Sequence, residues 1–195
     1  LRVTVTANGT ADTTEQRIGI RTIQVSSKTG LLLNGQPRTM KGGCIHHDLG
    51  ILGAADHAAA ERRRIRLMKE SGFDAIRAAH NPFGPAFLDA CDELGMLVVE
   101  EAFDEWVMGR TSFGLHVTFE QCWEKDLEDM ITRDYNHPCI VMWSTGNEVE
   151  ERDGTADGFA WAKRLADKVR SLDASRPVSA TACALFSLSA QPPNV

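Results

Sequence analysis

The side chains best suited to chemistry end the stretch 139–148, which reads Cys-Ile-Val-Met-Trp-Ser-Thr-Gly-Asn-Glu. Its first half is large and β-branched without alternation, which is typical of a strand buried on both faces of a parallel sheet. Its last residues, Asn147 and Glu148, place an amide beside a carboxylate. A barrel of alternating strands and helices builds its active site from such strand ends. An isolated Asn-Glu pair more often caps a solvated loop, so the prediction depends on the rest of the chain.

Three earlier apolar segments also end in polar side chains. These residues are His46, His47 and Asp48 after the first segment, Arg77, His80 and Asn81 after the second, and Glu101, Asp104, Glu105 and Trp106 after the third. Carboxyl ends of parallel barrel strands meet at one face, so we expect these groups to converge. Carboxylates, amides, histidines and an aromatic ring, with no cysteine nucleophile or serine triad, suit sugar recognition and cleavage of a glycosidic bond.

Glycosidic cleavage requires an acid that protonates the leaving oxygen and a carboxylate that meets the oxocarbenium-like carbon. The two carboxyl groups lie ~5–5.5 Å apart in retaining enzymes and ~6.5–9.5 Å apart in inverting ones. We predict that Glu148 is the proton donor, held protonated near neutral pH by partial burial or by a neighbouring carboxylate. Asn147 is placed to bind the sugar hydroxyl next to the reacting carbon.

Several of these residues have a simpler interpretation. Trp106 could stack on a sugar or merely pack in the core. The cluster at 46–48 could hold a metal, although adjacent histidines without a spaced third ligand rarely do. The five cysteines are scattered with no C-x-x-C pair, which indicates buried thiols, Cys44 and Cys139 among them, rather than disulfides or a zinc site.

Composition narrows the class of protein. The 195 residues are 43% hydrophobic and 25% charged, with a net charge of −6, as expected of an ordinary globular protein. No basic stripe favours a nucleic-acid partner, and the arginines at 62–64 are expected on a solvated helix face. No apolar run approaches the ~20 residues of a membrane span. The alternating start at 1–6 is unlike a signal peptide, so we expect the chain to begin inside a folded unit.

The amino-terminal segment, residues 1–25, has the pattern of β structure. Leu1, Val3 and Val5 alternate, a turn is expected at Asn8-Gly9, and 18–23 form a second extended run. Two strands cannot bury a core alone, so this segment is expected to end a β-sandwich. A short hairpin follows, with apolar residues at 31–33 and a turn at 34–35.

From about residue 40, strands and helices alternate. Strands are predicted near 40–45, 75–78, 96–99, 139–148 and 177–181, with four helices between them. The apolar stripes of the helices are Ile65 and Met68; Phe87, Cys91 and Leu94; Phe119, Trp123, Leu127 and Met130, behind a capping box at Thr118 and Gln121; and Phe159, Ala162, Ala166 and Val169. This alternation predicts an α/β fold with a parallel sheet. A doubly wound sheet and half of an eight-fold barrel both fit, but the polar strand ends and the missing glycine-rich phosphate loop favour the barrel.

At this point the sequence resembles glycoside hydrolase family 2, which contains β-galactosidases, β-glucuronidases and β-mannosidases. The resemblance covers nearly the whole chain and rests on motifs that occur in order. They are Gly19-Ile20-Arg21-Thr22-Ile23, Leu33-Asn34-Gly35-Gln36-Pro37, Lys41-Gly42-Gly43-Cys44-Ile45-His46-His47-Asp48, Leu67-Met68-Lys69, Gly72-Phe73-Asp74-Ala75-Ile76-Arg77, Ala79-His80-Asn81-Pro82, Cys91-Asp92-Glu93-Leu94-Gly95-Met96, Glu100-Glu101-Ala102-Phe103-Asp104, Arg133-Asp134-Tyr135-Asn136-His137-Pro138 and Trp143-Ser144-Thr145-Gly146-Asn147-Glu148.

The resemblance implies that residues 1–25 end an immunoglobulin-like sandwich and that 26–195 form the first half of a (β/α)8 TIM-barrel domain. It makes Glu148 the acid/base of a retaining enzyme, most similar to β-galactosidases. The residues expected to bind the substrate are Asn147, His80, Arg77, His46, Glu101 and Asp104. We expect no cofactor, and we assign no metal ligand. The expected partners are a β-galactoside and the remaining parts of a longer chain, with neither nucleic acid nor membrane; the localisation is left open.

Three departures from the family pattern matter. The family nucleophile is a second Glu after the seventh barrel strand, which this chain does not reach, so we expect the chain alone to be inactive. Glu100 stands where Asp is usual. Some relatives bind magnesium through Glu-x-His, whereas this chain has Glu105-Trp106-Val107. Alternatives are a β-glucuronidase or β-mannosidase, a non-catalytic carbohydrate-binding module, or an inverting enzyme that pairs Glu148 with Glu101.

Overall fold

The structure is a computed structural model that describes residues 1–181, apart from the side chains of residues 152 and 153. It begins with an antiparallel hairpin of β1 (Arg2–Ala7) and β2 (Thr10–Glu15) whose strand residues are all exposed. The predicted turn is confirmed, since Asn8 and Gly9 both have positive φ angles, 50° and 79°. The second strand was predicted wrongly at 18–23, because the threonine-rich β2 lacks the apolar alternation that signals a strand.

A small antiparallel sheet follows, formed by β3 (Ile23–Ser26), β4 (Gly30–Leu33) and β5 (Gln36–Pro37), which confirms the predicted short hairpin. We call it the bottom sheet. Ile23 and Leu33 of the bottom sheet pack against Ala75, Leu97 and Val141, which lie at the amino ends of three strands of the main sheet. The bottom sheet therefore closes that end and leaves the carboxyl ends free for a site.

The main sheet contains five parallel strands in the order β10-β9-β8-β7-β6. A helix follows each of the first four strands, as predicted. The elements in chain order are β6 (Gly42–Ile45), α1 (Ala58–Glu70), β7 (Ala75–Ala78), α2 (Pro85–Leu94), β8 (Leu97–Glu101), α3 (Phe119–Asp134), β9 (Ile140–Asn147), α4 (Gly158–Leu172) and β10 (Val178–Thr181), with 3₁₀ turns at Gly50–Leu52, Leu115–Val117, Glu150–Asp153 and Thr155–Asp157. Within residues 1–181, no helix has the length and apolarity needed to cross a membrane.

The helices pack their apolar stripes against one side of the sheet. Ile65, Phe87 and Cys91 are fully buried, and Gly95 ends α2 in the left-handed conformation at φ 69°. The stripe predicted for α4 was partly wrong, because Phe159 is exposed whereas Trp161 is buried. Helix α4 starts at Gly158, and its core-facing side chains begin with Trp161, two residues after Phe159.

Three further expectations need correction. The capping box of α3 does not form, since the Thr118 hydroxyl donates back to the carbonyl of Leu115 at 3.5 Å. Arg64 is not a solvated residue of its helix, because it forms a mostly buried ion pair with Glu61. Cys44 is exposed, because it lies on β6, which is an edge strand of the sheet formed by residues 1–181. Cys183 lies outside the described residues.

One row of residues crosses the opposite side of the sheet. Arg77 pairs with Val99, and Val99 pairs with Met142. Each is the single partly exposed residue of its strand, whereas the other residues of β7, β8 and β9 are buried. This interior row is therefore incompletely covered by residues 1–181.

Asp173 joins the end of α4 to the sheet. Its carboxylate accepts hydrogen bonds from Trp143 Nε1 at 2.8 Å, from Arg176 Nη1 at 2.5 Å and from the backbone N–H of Ser175 at 2.8 Å. Burial raises the pKa of this carboxyl, but the hydrogen bonds from Ser175, Arg176 and Trp143 outweigh burial and lower the pKa to about 2.

We predict that Asp173→Asn lowers the free energy of unfolding at pH 7 by about 3 kcal/mol, because Arg176 loses a buried partner. The wild-type carboxylate is stabilising above its unfolded pKa of 3.8, and this contribution is lost as the pH falls toward about 2. Urea unfolding should therefore give a difference between the two proteins that narrows from pH 7 to pH 3. Asp12→Asn, on the exposed strand β2, is the control, and an unchanged difference across that range would contradict the assignment.

Candidate active site

The predicted polar residues meet at the carboxyl ends of β7, β8 and β9, around the Glu101 carboxylate. Glu101 ends β8 and is fully buried. Its Oε1 lies 2.9 Å from His80 Nδ1 and 3.3 Å from Arg77 Nη2, and its Oε2 accepts a hydrogen bond from the Ser144 hydroxyl at 2.7 Å. Both oxygens are therefore occupied by donors from the two neighbouring strands and the residues that follow them.

Asn147 ends β9 and is 3% exposed. Arg77 Nη2 donates to Asn147 Oδ1 at 2.7 Å, and Asn147 Nδ2 donates to Asp104 Oδ1 at 3.0 Å. The backbone N–H of Asn147 donates to the carbonyl of Phe103 at 3.0 Å. The amide is thus held by groups from β7 and from the loop after β8.

Glu148 follows in a left-handed conformation at φ 45°, with its backbone N–H bonded to the carbonyl of Thr181 at 2.8 Å. The next residue, Val149, is buried, so the chain is fixed on both sides of Glu148. The Glu148 side chain is exposed. The partial burial that we expected for a proton donor is therefore not supplied by residues 1–181.

The cluster at 46–48 separates into three different environments. The His46 ring meets the His80 ring edge to face, at an interplanar angle of 67° and with centroids 4.8 Å apart. His47 instead stacks on Phe83 at 4.0 Å, and Asp48 accepts a hydrogen bond from the Gly50 backbone. The metal interpretation of this cluster is therefore wrong, and only His46 joins the site.

The loop after β8, residues 102–118, carries Asp104 and Glu105. Glu105 is buried and accepts hydrogen bonds from the backbone N–H of Arg110 at 2.9 Å and from His116 Nδ1 at 3.0 Å. Burial raises the pKa of Glu105, but these hydrogen bonds outweigh burial and lower the pKa. These hydrogen bonds make Glu105 the group on which the loop closes.

Trp106 and Glu100 support the site from behind. Trp106 is 2% exposed and donates from Nε1 to the carbonyl of Thr145 at 2.8 Å, so stacking on a sugar is excluded. Gly146 is required there, since an added Cβ would lie 2.7 Å from Trp106 Nε1. Glu100 is fully buried and accepts from the Phe83 backbone, and burial raises its pKa well above the usual range.

A second polar cluster lies at the opposite end of the sheet. Asp92, His137 and Cys139 are the one group within residues 1–181 whose ligand atoms are close enough to hold a metal ion. Asp92 already bonds to His137 Nδ1 at 2.7 Å and to the Cys139 backbone N–H at 2.9 Å. Burial lowers the pKa of His137, but the Asp92 carboxylate outweighs burial and raises it. These contacts join α2 to the start of β9.

Three residues of the site had not been predicted. Ser144 could have been found from strand register, since it lies beside Glu101. Arg110 and Glu151 are held by loop geometry, for which the sequence carries no periodic signal. Glu151 is buried, and its Oε1 accepts the backbone N–H of Met108 at 2.5 Å, which joins the segment after Glu148 to the loop after β8.

We predict that Ser144→Ala lowers the free energy of unfolding by about 1–3 kcal/mol, because one buried Glu101 oxygen loses its donor. Ser179→Ala is the matched control, since Ser179 is the exposed cross-strand neighbour of Ser144. Urea unfolding of both variants measures the difference. Equal stability of the two variants would contradict the role given to this hydrogen bond.

The parallel strands, the helices and the polar strand ends define an incomplete (β/α) barrel with a candidate sugar site. The model of the TIM barrel domain of glycosyl hydrolases family 2 matches residues 23–187. The chain therefore belongs to glycoside hydrolase family 2.

Individual relatives agree with this assignment. The chain is 38% identical over 193 residues to the β-galactosidase BoGH2A of Bacteroides ovatus, covering 84% of this chain and 23% of the relative. It is also 38% identical over 147 residues to a putative β-glucuronidase of Formosa agariphila, covering 75% and 14%. A crystal structure of a family 2 member from Bacteroides cellulosilyticus has a TM-score of 0.88 and 43% identity, covering 93% and 24%. The chain thus spans at most about a quarter of the length of each.

Proposed function

We propose that this chain forms the first half of the catalytic barrel of a longer, retaining β-glycosidase that removes terminal β-galactosyl groups. The observation that carries the proposal is the position of Asn147 and Glu148 at the end of β9. There the Asn147 amide is fixed between Arg77 and Asp104. Glu148 follows on a backbone held by Thr181 and Val149, and so has a defined place at the face where barrel enzymes bind substrate.

In this proposal Glu148 acts twice. It first donates a proton to the glycosidic oxygen while a carboxylate from outside residues 1–181 attacks the anomeric carbon and the leaving group departs. The Glu148 carboxylate then takes a proton from water, which attacks the same carbon and releases the nucleophile. The exposure of Glu148 indicates that the burial needed to keep it protonated comes from the rest of the barrel or from the bound sugar.

Glu101 is a poor candidate for the second catalytic carboxylate. It is fully buried against His80, Arg77 and Ser144, so within residues 1–181 neither of its oxygens is open to a sugar or to an attacking water. This argues against the inverting alternative. We assign Glu101 to positioning His80 and Arg77 at the substrate.

The interior row supports the proposal that further strands complete the barrel. Arg77, Val99 and Met142 remain partly exposed although the other residues of their strands are buried. Strands β6 and β10 are also edges of the described sheet, and open edges with unpaired backbone groups favour further pairing. We further propose that the exposed hairpin β1–β2 belongs to a preceding immunoglobulin-like sandwich, with the barrel domain starting near residue 26.

The galactoside is favoured because the relative BoGH2A, which matches most of this chain, is a β-galactosidase. A β-glucuronide is the second candidate, since another relative of equal identity is named a putative β-glucuronidase. Comparing nitrophenyl β-galactoside with nitrophenyl β-glucuronide distinguishes the two. The assay requires the longer enzyme, by which we mean the polypeptide that carries this sequence or a hybrid with residues 1–195 in place of the matching segment of BoGH2A.

We predict that Glu148→Ala in the longer enzyme lowers kcat/KM for an alkyl β-galactoside by about 10²–10⁴-fold, since that leaving group needs protonation. For a dinitrophenyl β-galactoside the first step should survive. Added azide, which needs no general base, should then restore turnover and give the β-configured galactosyl azide. NMR of the product measures the configuration.

Glu120→Ala, an exposed glutamate in the first turn of α3, is the control and should behave as wild type. An α-configured azide would assign Glu148 as the nucleophile instead. Full activity of Glu148→Ala on the alkyl galactoside would remove it from the chemistry altogether.

We also predict that the 195-residue chain alone hydrolyses nitrophenyl β-galactoside no faster than buffer, because the second carboxylate is missing. Robust turnover by this chain would contradict the proposed origin of the nucleophile. If the longer polypeptide binds galactose in a calorimeter but hydrolyses no glycoside, a carbohydrate-binding module is the better assignment.

A further inference from the structure

The orientation of the Asn147 amide is fixed by its two partners. The Arg77 guanidinium can only donate hydrogen bonds, and the Asp104 carboxylate can only accept them. Oδ1 must therefore face Arg77, at 2.7 Å, and Nδ2 must face Asp104, at 3.0 Å. One hydrogen on Nδ2 remains for a ligand, and its direction depends on where Asp104 holds the amide.

Asp104 itself has little support from the core. Its side chain is 45% exposed, so a free carboxylate there would exchange among rotamers and water contacts. Arg110 restrains it, because Arg110 Nη2 contacts the Asp104 carboxylate and also donates to the Asp104 main-chain carbonyl at 2.6 Å. One guanidinium group therefore fixes both the backbone and the side chain of Asp104.

Arg110 is in turn held by the buried carboxylate of Glu105. Glu105 Oε2 accepts the Arg110 backbone N–H at 2.9 Å, while Oε1 accepts both the backbone N–H and the ring Nδ1 of His116, at 3.1 and 3.0 Å. Gly114 allows this closure, since an added Cβ would lie 1.8 Å from Glu105 Oε1. These hydrogen bonds close the loop around Glu105 and direct the Arg110 side chain toward Asp104.

We propose that Arg110 is a positioning residue for sugar binding, acting through Asp104 on Asn147. It holds the free Nδ2 hydrogen of Asn147 toward the hydroxyl next to the reacting carbon. The inference rests on the proposed function and on the expectation from the sequence that Asn147 binds that hydroxyl. A direct contact between Arg110 and an acidic sugar is the competing assignment, and it is disfavoured because Asp104 already neutralises the guanidinium.

The test compares an aryl β-galactoside with its 2-deoxy analogue in the longer enzyme. Arg110→Met should lower kcat/KM for the galactoside about tenfold or more, because a displaced amide loses its contact with the 2-hydroxyl. The 2-deoxy substrate has no such contact, so its kcat/KM should change less than about twofold. Arg110→Lys, which keeps a donor, should recover part of the loss. Arg66→Met, at a surface ion pair on α1, is the control.

Equal losses on the two substrates would mean that Arg110 only stabilises the fold, and no loss on either would also overturn the proposal. A loss confined to a β-glucuronide would assign direct contact with an acidic sugar. A crystal structure of Arg110→Met gives a readout independent of activity. An unmoved Asn147 amide, still 3.0 Å from Asp104, would overturn the proposal that Arg110 acts through Asp104. If the wild-type enzyme hydrolyses no glycoside, the proposed function fails. The crystal structure still shows whether Arg110 positions Asn147 through Asp104.

Discussion

The site depends on one buried negative charge, the carboxylate of Glu101. A buried carboxylate is tolerated only when donors satisfy its oxygens, and here those donors come from β9 and from β7 with the residues just after it. The charge therefore fixes the relative positions of three strand ends. Arg77 links this requirement to Asn147, because the same Nη2 atom approaches both Glu101 and the Asn147 amide. The buried Glu101 carboxylate thus positions His80 and Arg77 and, through Arg77, the Asn147 amide.

The two ends of the main sheet carry different kinds of contact. At the amino end, apolar contacts with the bottom sheet combine with partly buried pairs such as Asp92 with His137, which join α2 to the start of β9. At the carboxyl end, the polar groups include Glu148 and His46, which remain exposed. Arg21 strengthens the amino end by donating to the carbonyls of Pro138 and Ile140, which fixes the start of β9. A rigid start allows the same strand to present Asn147 and Glu148 accurately at its other end.

Much of this arrangement could be predicted from the sequence because buried parallel strands and amphipathic helices leave periodic signals. The run at 139–148 could hardly be anything but a central strand, and Gly95 marked the end of α2. Polar residues after successive strands then indicated a shared face, and the contacts of His80, Arg77, Glu101 and Asn147 agree with this.

What could not be predicted depends on contacts between segments far apart in sequence. The phase of α4 was misjudged at Phe159 because several faces of that helix are apolar, and only packing decides which face is buried. Cysteine is usually a core residue, but Cys44 lies on an edge strand of the described sheet and is exposed. The position of a strand within a sheet depends on topology and not on local sequence. Arg110 lies in a loop whose shape is set by the buried Glu105, and no periodicity encodes such a turn. Glu148 is exposed in the described structure, and the sequence of this chain does not show which groups would bury it.

The bottom sheet has a consequence for biosynthesis. It precedes in sequence every strand that it covers, so Ile23 and Leu33 leave the ribosome before Ala75, Leu97 and Val141 exist to receive them. Two apolar side chains must therefore wait for a binding surface that is completed only when the fourth strand of the main sheet has been translated. During that interval the two side chains lack their packing partners, so this contact can form only late in synthesis.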